Sequence, residues 1–296
     1  MTHLPGFKGY IHDVGGPTAN FRHPACKKQL TAGVCKDRHC IGSEICPNLD
    51  TSHDDYLKLL QEIRHIPRVK KVFVRSGLRY DYLLADHNKK FVEELCRYHV
   101  SGQLKVAPEH VVKHVTDLMG KADVHAFLTF KKWFDEANRK LGKKQYLVPY
   151  FMSSHPGCTL ADAITLAEFL RDMHMQPEQV QDFIPTPGSL STAMYYTGMN
   201  PLTGEKVYVA RRPEEKQMQR ALMQYKNPAN YDIVYKALCI AGRRDLIGYG
   251  SHCLIPPRRP GKARMEKTAG RAGNRRPGNP GRKGRTLQDR QRHGFR

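Results

Sequence analysis

Apolar positions along this chain fall alternately into short continuous runs and longer stretches with helical spacing. Gly9-Tyr-Ile-His-Asp13 opens the series as a buried strand that turns at Val14-Gly15-Gly16-Pro17. Thr51-Ser52, with Asp54 and Asp55 behind them, reads as a hydroxyl cap and an acidic first turn. Tyr56, Leu59, Leu60, Ile63 and Ile66 then recur at helical intervals, and Pro67 lies past the end. Lys71-Val-Phe-Val74 is a second strand, ending at Arg75-Ser76-Gly77. A helical stretch from Tyr80 to His99 follows, with Phe91, Leu95 and Tyr98 on one face. Leu104-Lys-Val-Ala107 is a third strand, and Pro108-Glu109-His110 is placed to open a helix. Val124 to Leu141 carries Phe127, Phe130, Phe134, Ala137 and Leu141 inward until Gly142 stops it. Tyr146-Leu-Val-Pro-Tyr-Phe-Met152 is the fourth strand, with Ser153-Ser-His-Pro-Gly157 at its C-terminal end. Thr159 caps a helix through Met173, and Val180-Gln-Asp-Phe-Ile184 closes the series at Pro185-Thr-Pro-Gly188.

Five strands separated by helices predict a parallel α/β sheet with right-handed crossovers, curved or barrel-like. Five cannot close an eight-stranded barrel, so the expectation is a partial barrel over residues 1–188. Beyond Gly188 the texture changes. Asn200-Pro-Leu-Thr-Gly204 is turn chemistry, Val207-Tyr-Val209 suits a short strand, and helices are expected from Arg212 to about Tyr225 and from Tyr231 to Ala241. Residues 189–255 thus read as a small, mostly helical C-terminal domain. Residues 256–296 are Pro, Gly and Arg with hardly any apolar side chain, which predicts disorder.

Charge sharpens that division. The formal net charge is +21, and residues 258–296 hold fourteen Lys and Arg against two acids. Such a tail either stays solvated or binds nucleic acid by salt-dependent, sequence-blind contacts, with few aromatics to stack on bases. No apolar run is long enough to span a bilayer, and the first six residues have neither the basic nor the apolar part of a signal peptide. The expectation is a cytoplasmic protein that does not engage membranes. Its eight cysteines then suggest metal, catalysis or burial rather than disulfides.

Four of those cysteines, Cys26, Cys35, Cys40 and Cys46, lie in a Lys-containing insertion over 24–48. Thiolates so placed can surround one Zn²⁺ or ligate an iron–sulfur cluster. Lys27, Lys28, Lys36 and Arg38 favour thiolate over thiol, and Cys46-Pro47 has the ending of some ferredoxin loops. The alternative is four unmetallated thiols on a long loop. His39 is a substitute ligand, whereas His23 reads as loop surface. Ser76, Arg79 and Glu109 fall at C-terminal strand ends, where parallel α/β folds bind ligands. His155 and Cys158 bracket a turn at another strand end, Cys96 and Cys239 sit among apolar neighbours, and Cys253 is uninformative.

Read together, the strand ends carry a resemblance. Asp13-Val-Gly-Gly-Pro-Thr-Ala-Asn20, Val72-Phe-Val-Arg-Ser-Gly77 with Arg79-Tyr-Asp81, Leu104-Lys-Val-Ala-Pro-Glu-His110 and Pro149-Tyr-Phe-Met-Ser-Ser-His-Pro-Gly157 resemble the YgiQ family of radical S-adenosylmethionine (SAM) proteins. Gln181-Asp-Phe-Ile-Pro-Thr-Pro187, Thr192-Ala-Met-Tyr-Tyr-Thr-Gly198 and Leu246-Ile-Gly-Tyr-Gly250 agree, and the likeness covers about Gly6 to Pro257. It implies a (βα)6 partial barrel whose [4Fe-4S] cluster, held by Cys-x3-Cys-x2-Cys, donates an electron to SAM. The deoxyadenosyl radical so formed abstracts a hydrogen.

On that template the five strands are the second to the sixth. No three cysteines here stand at i, i+4 and i+7, so the first strand and its cluster loop are expected upstream of Met1. The chain then reads as the C-terminal part of a longer or split protein. It would not cleave SAM alone, and a separately encoded N-terminal fragment would be its partner. The resemblance implies SAM contacts at Asp13, Gly15, Gly16, Ser76, Arg79 and Glu109. Pro17 stands where such proteins carry the Glu of Gly-Gly-Glu. Each residue also has a plain alternative: a tight turn for the glycines, pairing with Asp81 for Arg79, a first-turn acid for Glu109. The competing function is a non-catalytic Zn or iron–sulfur protein that contacts nucleic acid through its tail. The substrate is not legible.

Overall fold

The computed structural model describes residues 1–260 apart from 17, 37, 43, 87, 88, 178 and 179. Met1–Pro257 is one compact unit. Nearly all of the tail expected to be disordered lies outside the described residues.

All five expected strands form, the first, second and fifth only two residues long, and every pairing among them is parallel; the first is not the buried strand expected, since Tyr10 is exposed. β1 (Tyr10–Ile11) pairs with β2 (Lys71–Val72), Tyr10 opposite Lys71. β3 (Gln103–Glu109), β4 (Tyr146–Ser153) and β5 (Gln181–Asp182) make a three-stranded sheet in that order. β3 and β4 run in register from Gln103 opposite Tyr146 to Val106 opposite Pro149. The ladder then slips, so that Glu109 faces Phe151. Pro108 has no N–H to give the ladder, which accounts for an irregularity at this point. Pro108-Glu109 therefore ends a strand rather than opening a helix; the next helix, α5 (Lys113–Met119), begins four residues later.

The protein is thus mixed α/β with two small parallel sheets, and no closed barrel forms among the described residues. The sheets meet through glycine. Gly77, at φ +92°, lies so close to β3 that a Cβ there would stand 2.5 Å from the Lys105 carbonyl oxygen. One core spans both sheets: Val72 and Val74 pack with Leu104 and Val106, and with Phe127, Phe130 and Phe134 of α6 (Val124–Leu141). That helix has the expected bounds. Its Asp123 cap accepts from the N–H groups of His125 and Ala126, and Gly142 ends it in the left-handed conformation.

Other elements depart from the expected pattern. α2 (Asp54–His65) carries its acidic first turn, but the capping residue is His53, and Ser52 Oγ accepts from the Asp54 N–H. The stretch from Tyr80 to His99 divides into α3 (Tyr80–Ala85), α4 (Lys90–Glu94) and a π turn over Leu95–His99. Asp86 is the C-cap of α3, and its carboxylate is taken by the N–H and ring of His53. The π turn swings Tyr98 outward under the Arg64 guanidinium, 3.7 Å from the ring centroid.

α7 (Leu160–Asp172) starts with a capping box between Thr159 and Asp162. α8 (Leu190–Thr197) has no counterpart in the sequence reading, and Val207–Val209 is not a strand. α9 (Pro213–Met223) and α10 (Tyr231–Ile240) form as expected. Their Met218, Leu222, Val234 and Leu238 share one core with Cys158, Ile164 and Ala167 beside and on α7.

Candidate functional site

The C-terminal ends of β3, β4 and β5 and the loop after β2 enclose a cavity of about 380 Å³. Ser76, Arg79, Lys105, Glu109, Lys121 and Tyr150 line it. Position at strand ends thus brings Ser76, Arg79 and Glu109 to one place.

Their commitments differ. Asp13 accepts from the N–H groups of Gly15, Arg75 and Ser76, the first two at 2.8 and 2.9 Å, and from the Ser76 hydroxyl. Burial works against its charge, but these bonds outweigh burial and hold its carboxyl below the usual range. Asp13 therefore fastens the β1 loop to the β2 loop, and Ser76 is the group it fastens. Gly15 serves close packing: a Cβ there would lie 2.9 Å from the Gly77 carbonyl oxygen. Gly16 donates its N–H to that same oxygen at 3.0 Å, and a Cβ there would meet only the Ala19 side chain, at 3.9 Å. Arg79 grips Asp81 through both arms, at 2.9 and 2.6 Å. That is the Asp81 pairing named above, made by a side chain that also lines the cavity.

Glu109 is different. It holds φ +65°, a left-handed conformation costly to a residue with a Cβ. Its carboxylate reaches Lys121 Nζ only at 3.6 Å. Burial is the largest influence on both groups, raising the Glu109 pKa and lowering that of Lys121. Lys121 and Lys105 were not singled out from sequence. Lys105 Nζ lies 5.7 Å from the Tyr150 ring centroid and has no carboxylate partner among the described residues. Lys121 follows the left-handed Gly120 that ends α5, the sole sequence signal near it.

The second candidate region is the cysteine loop. Asp50 N–H donates to the Ala25 carbonyl at 2.8 Å, closing its neck. Inside it, a short helix α1 (Gln29–Ala32), not expected from sequence, sets donors against sulfur. Gln29 Nε2 stands 3.5 Å from Cys40 Sγ, and Lys28 Nζ stands 3.3 Å from Cys35 Sγ. Burial, then the nearby thiols of Cys46, Cys26 and Cys35, push the Cys40 pKa up. The Asn48 N–H, helped by Arg38 and Lys28 against burial, draws that of Cys46 down. All four cysteines are free thiols. Among the described residues, no three Cys, His, Asp or Glu side chains are set to hold a metal ion. His39 is exposed, and His23 pairs with Asp55 at the surface.

The remaining candidates lie apart. His155 is buried against Ser191 Oγ at 2.8 Å, and burial draws its pKa down to about 4. Cys158 Sγ meets His110 Nε2 at 3.5 Å, with its thiol pushed up to about 12 by burial. His110 itself is drawn down to about 4, again by burial first. Cys96 is core, Cys239 half-buried, and Cys253 faces the Asp245 carbonyl.

A family model described as a domain of unknown function, DUF3362, matches residues 178–293. A UPF0313 protein of Clostridium perfringens strain 13 is 60% identical over 255 residues, covering 86% of this chain and 38% of the relative. A UPF0313 protein of Clostridium botulinum strain 657 is 58% identical over 256 residues, covering 86% and 40%. That of strain Loch Maree is 58% identical over 260 residues, covering 88% and 40%. The chain spans about two fifths of the length of the curated relatives it matches. No helix among the described residues is long and apolar enough to cross a membrane.

Proposed function

We propose that the chain forms part of a UPF0313 protein of the YgiQ type, and that its strand-end cavity binds the methionine end of SAM. The two parallel sheets would be parts of one partial barrel, completed by a strand supplied from an N-terminal portion. What carries the ligand assignment is Glu109. It is a buried, weakly paired carboxylate held in a strained conformation at the mouth of parallel strands, and such strained residues cluster at ligand sites.

The cavity suits a zwitterion. Glu109 would accept from an ammonium group, and Lys105 and Lys121 would face a carboxylate. Asp13, Gly15 and Ser76 would act one step back, holding the two loops at the spacing the ligand needs, with Gly16 adding its N–H to the Gly77 carbonyl. SAM, once bound, would supply the radical precursor. The Cys-x3-Cys-x2-Cys ligand set for a catalytic cluster does not occur in this sequence, so the residues here do not fit that group and no step is assigned to it. Substrate and reaction type stay unassigned.

Equilibrium dialysis of the full chain against labelled SAM tests the proposal. Glu109→Gln is expected to weaken binding roughly tenfold or more through loss of a charge-assisted bond. Its circular dichroism should match the parent chain. Binding unchanged by Glu109→Gln, or no uptake at millimolar SAM, overturns it.

A further inference from the structure

The loop from Ala25 to Asp50 is closed at its neck by a backbone hydrogen bond and crossed inside by a second, from Cys46 N–H to the Cys40 carbonyl at 3.0 Å. Gln29 ties the parts together. Its N–H donates to the Cys26 carbonyl at 3.1 Å, its Oε1 accepts from the Ala25 N–H at 2.8 Å, and its Nε2 points at Cys40 Sγ. One side chain thus links the neck, the first cysteine turn and the third cysteine. Cys40 and Cys46 rest on a small apolar floor of Ile41, Leu49 and Tyr82, and Tyr82 is anchored to the Asp50 carbonyl at 2.6 Å. A surface loop of this length with so little apolar content has little reason to hold such order unless something else fills it.

Two observations bear on what that is. First, the groups aimed at the sulfurs are N–H donors and cations: Gln29 at Cys40, Lys28 at Cys35, and Arg38 at Cys46. Donors facing sulfur suit thiolates, and such bonds are among the levers proteins use on iron–sulfur clusters. Second, the thiols are neighbours without being gathered around a point. A single tetrahedral Zn²⁺ takes four sulfurs at about 2.3 Å, and no three ligating side chains among the described residues are so disposed. A cluster of several irons and sulfides holds its four thiolates farther apart than one ion does.

We infer that Cys26, Cys35, Cys40 and Cys46 bind an iron–sulfur cluster distinct from any that cleaves SAM, with Gln29, Lys28 and Arg38 as sulfur-facing donors. Each cysteine gives up its proton to the medium as the cluster binds, and no electron need be exchanged for assembly from a preformed cluster. The three cationic and amide donors offset the negative charge that four thiolates bring.

The test is iron and acid-labile sulfide analysis of the full chain purified without oxygen, with visible absorption and electron paramagnetic resonance of the reduced protein. About two or about four iron, with an equal amount of sulfide per chain, are expected, because four cysteines ligate either a [2Fe–2S] or a [4Fe–4S] cluster. Cys26/Cys35/Cys40/Cys46→Ala should lose both, and Cys239→Ala/Cys253→Ala should keep both. Gln29→Leu keeps the cysteines but removes a donor, and should shift the paramagnetic signal with the iron retained. Where the fourfold variant loses its circular dichroism signal, the exposed single variant Cys35→Ser serves instead, with reduced iron content expected. Zinc without sulfide, or iron retained in the fourfold variant, overturns the inference. So does a chain that takes up neither metal nor sulfide after anaerobic reconstitution.

Discussion

Two non-glycine residues at strand ends hold left-handed backbone, and their side chains fare differently. Ser154, at φ +61°, is buried with its hydroxyl unpartnered. Its N–H is held by Gln219 Oε1, but its hydroxyl has no partner among the described residues to set against the strain. Ser154→Gly should therefore stabilise the protein by about 1 kcal/mol, read as a higher urea midpoint. Glu109→Gly should relieve comparable strain while abolishing SAM uptake, a gain in stability with a loss of binding. Glu109→Ala, which keeps the Cβ, should lose binding with no such gain. Glu109, Ser76 and Arg79 were legible in the sequence because strand-end position alone singles them out. Whether each faces a ligand was not, since that depends on partners distant in sequence. Asp13 and Ser76 consume each other across 63 residues. Lys121 reaches the cavity from the connection between α5 and α6, where no periodicity marks it.

Helices with one end signalled in the sequence formed where expected: Gly142 ends α6 and Thr159 starts α7, while the Asp123 cap and the Asp162 half of the capping box emerge only in the structure. Thr159→Ala should cost about 1 kcal/mol, measurable by thermal unfolding. The stretch from Tyr80 to His99 misled because a tertiary contact falls where α3 ends: Asp86, still helical in backbone, gives its carboxylate to His53. A π turn then adds a residue to the period, so the heptad-like spacing of Phe91 and Tyr98 stops describing one face. The joint between the sheets turns on Gly77. Gly77→Ala would press a Cβ onto the Lys105 carbonyl in a backbone conformation unsuited to it. A loss of about 3 kcal/mol is expected, with weaker SAM binding because the cavity wall moves. A Gly77→Ala protein as stable as its parent would mean that the sheets are not wedged there.

At the scale of the molecule, acid sensitivity should follow the buried histidines. His110 and His155 have folded-state pKa values of about 4, below the ordinary 6.5. The unfolded chain therefore binds more protons than the folded one between those values. Stability is unpenalised above pH 6.5 and falls as pH drops toward 4, by at most about 1.4 kcal/mol per pH unit for each histidine. Asp13, held low, begins to add its own loss only below the ordinary carboxylate range. Urea midpoints across this range should show the decline, and a His110→Gln/His155→Gln variant should flatten it. Near those histidines, Gln219 of α9 receives the Ser154 N–H at 2.9 Å and gives its amide to the Cys158 carbonyl at 2.8 Å. One side chain from the segment after residue 188 thereby holds the turn that follows β4. Such a bond constrains inheritance. A shuffled gene that exchanged only the segment after 188 would bring together a turn and an amide that had diverged separately. Viable crossovers should thus spare the interval from β4 through α9, and the two should pass between lineages together.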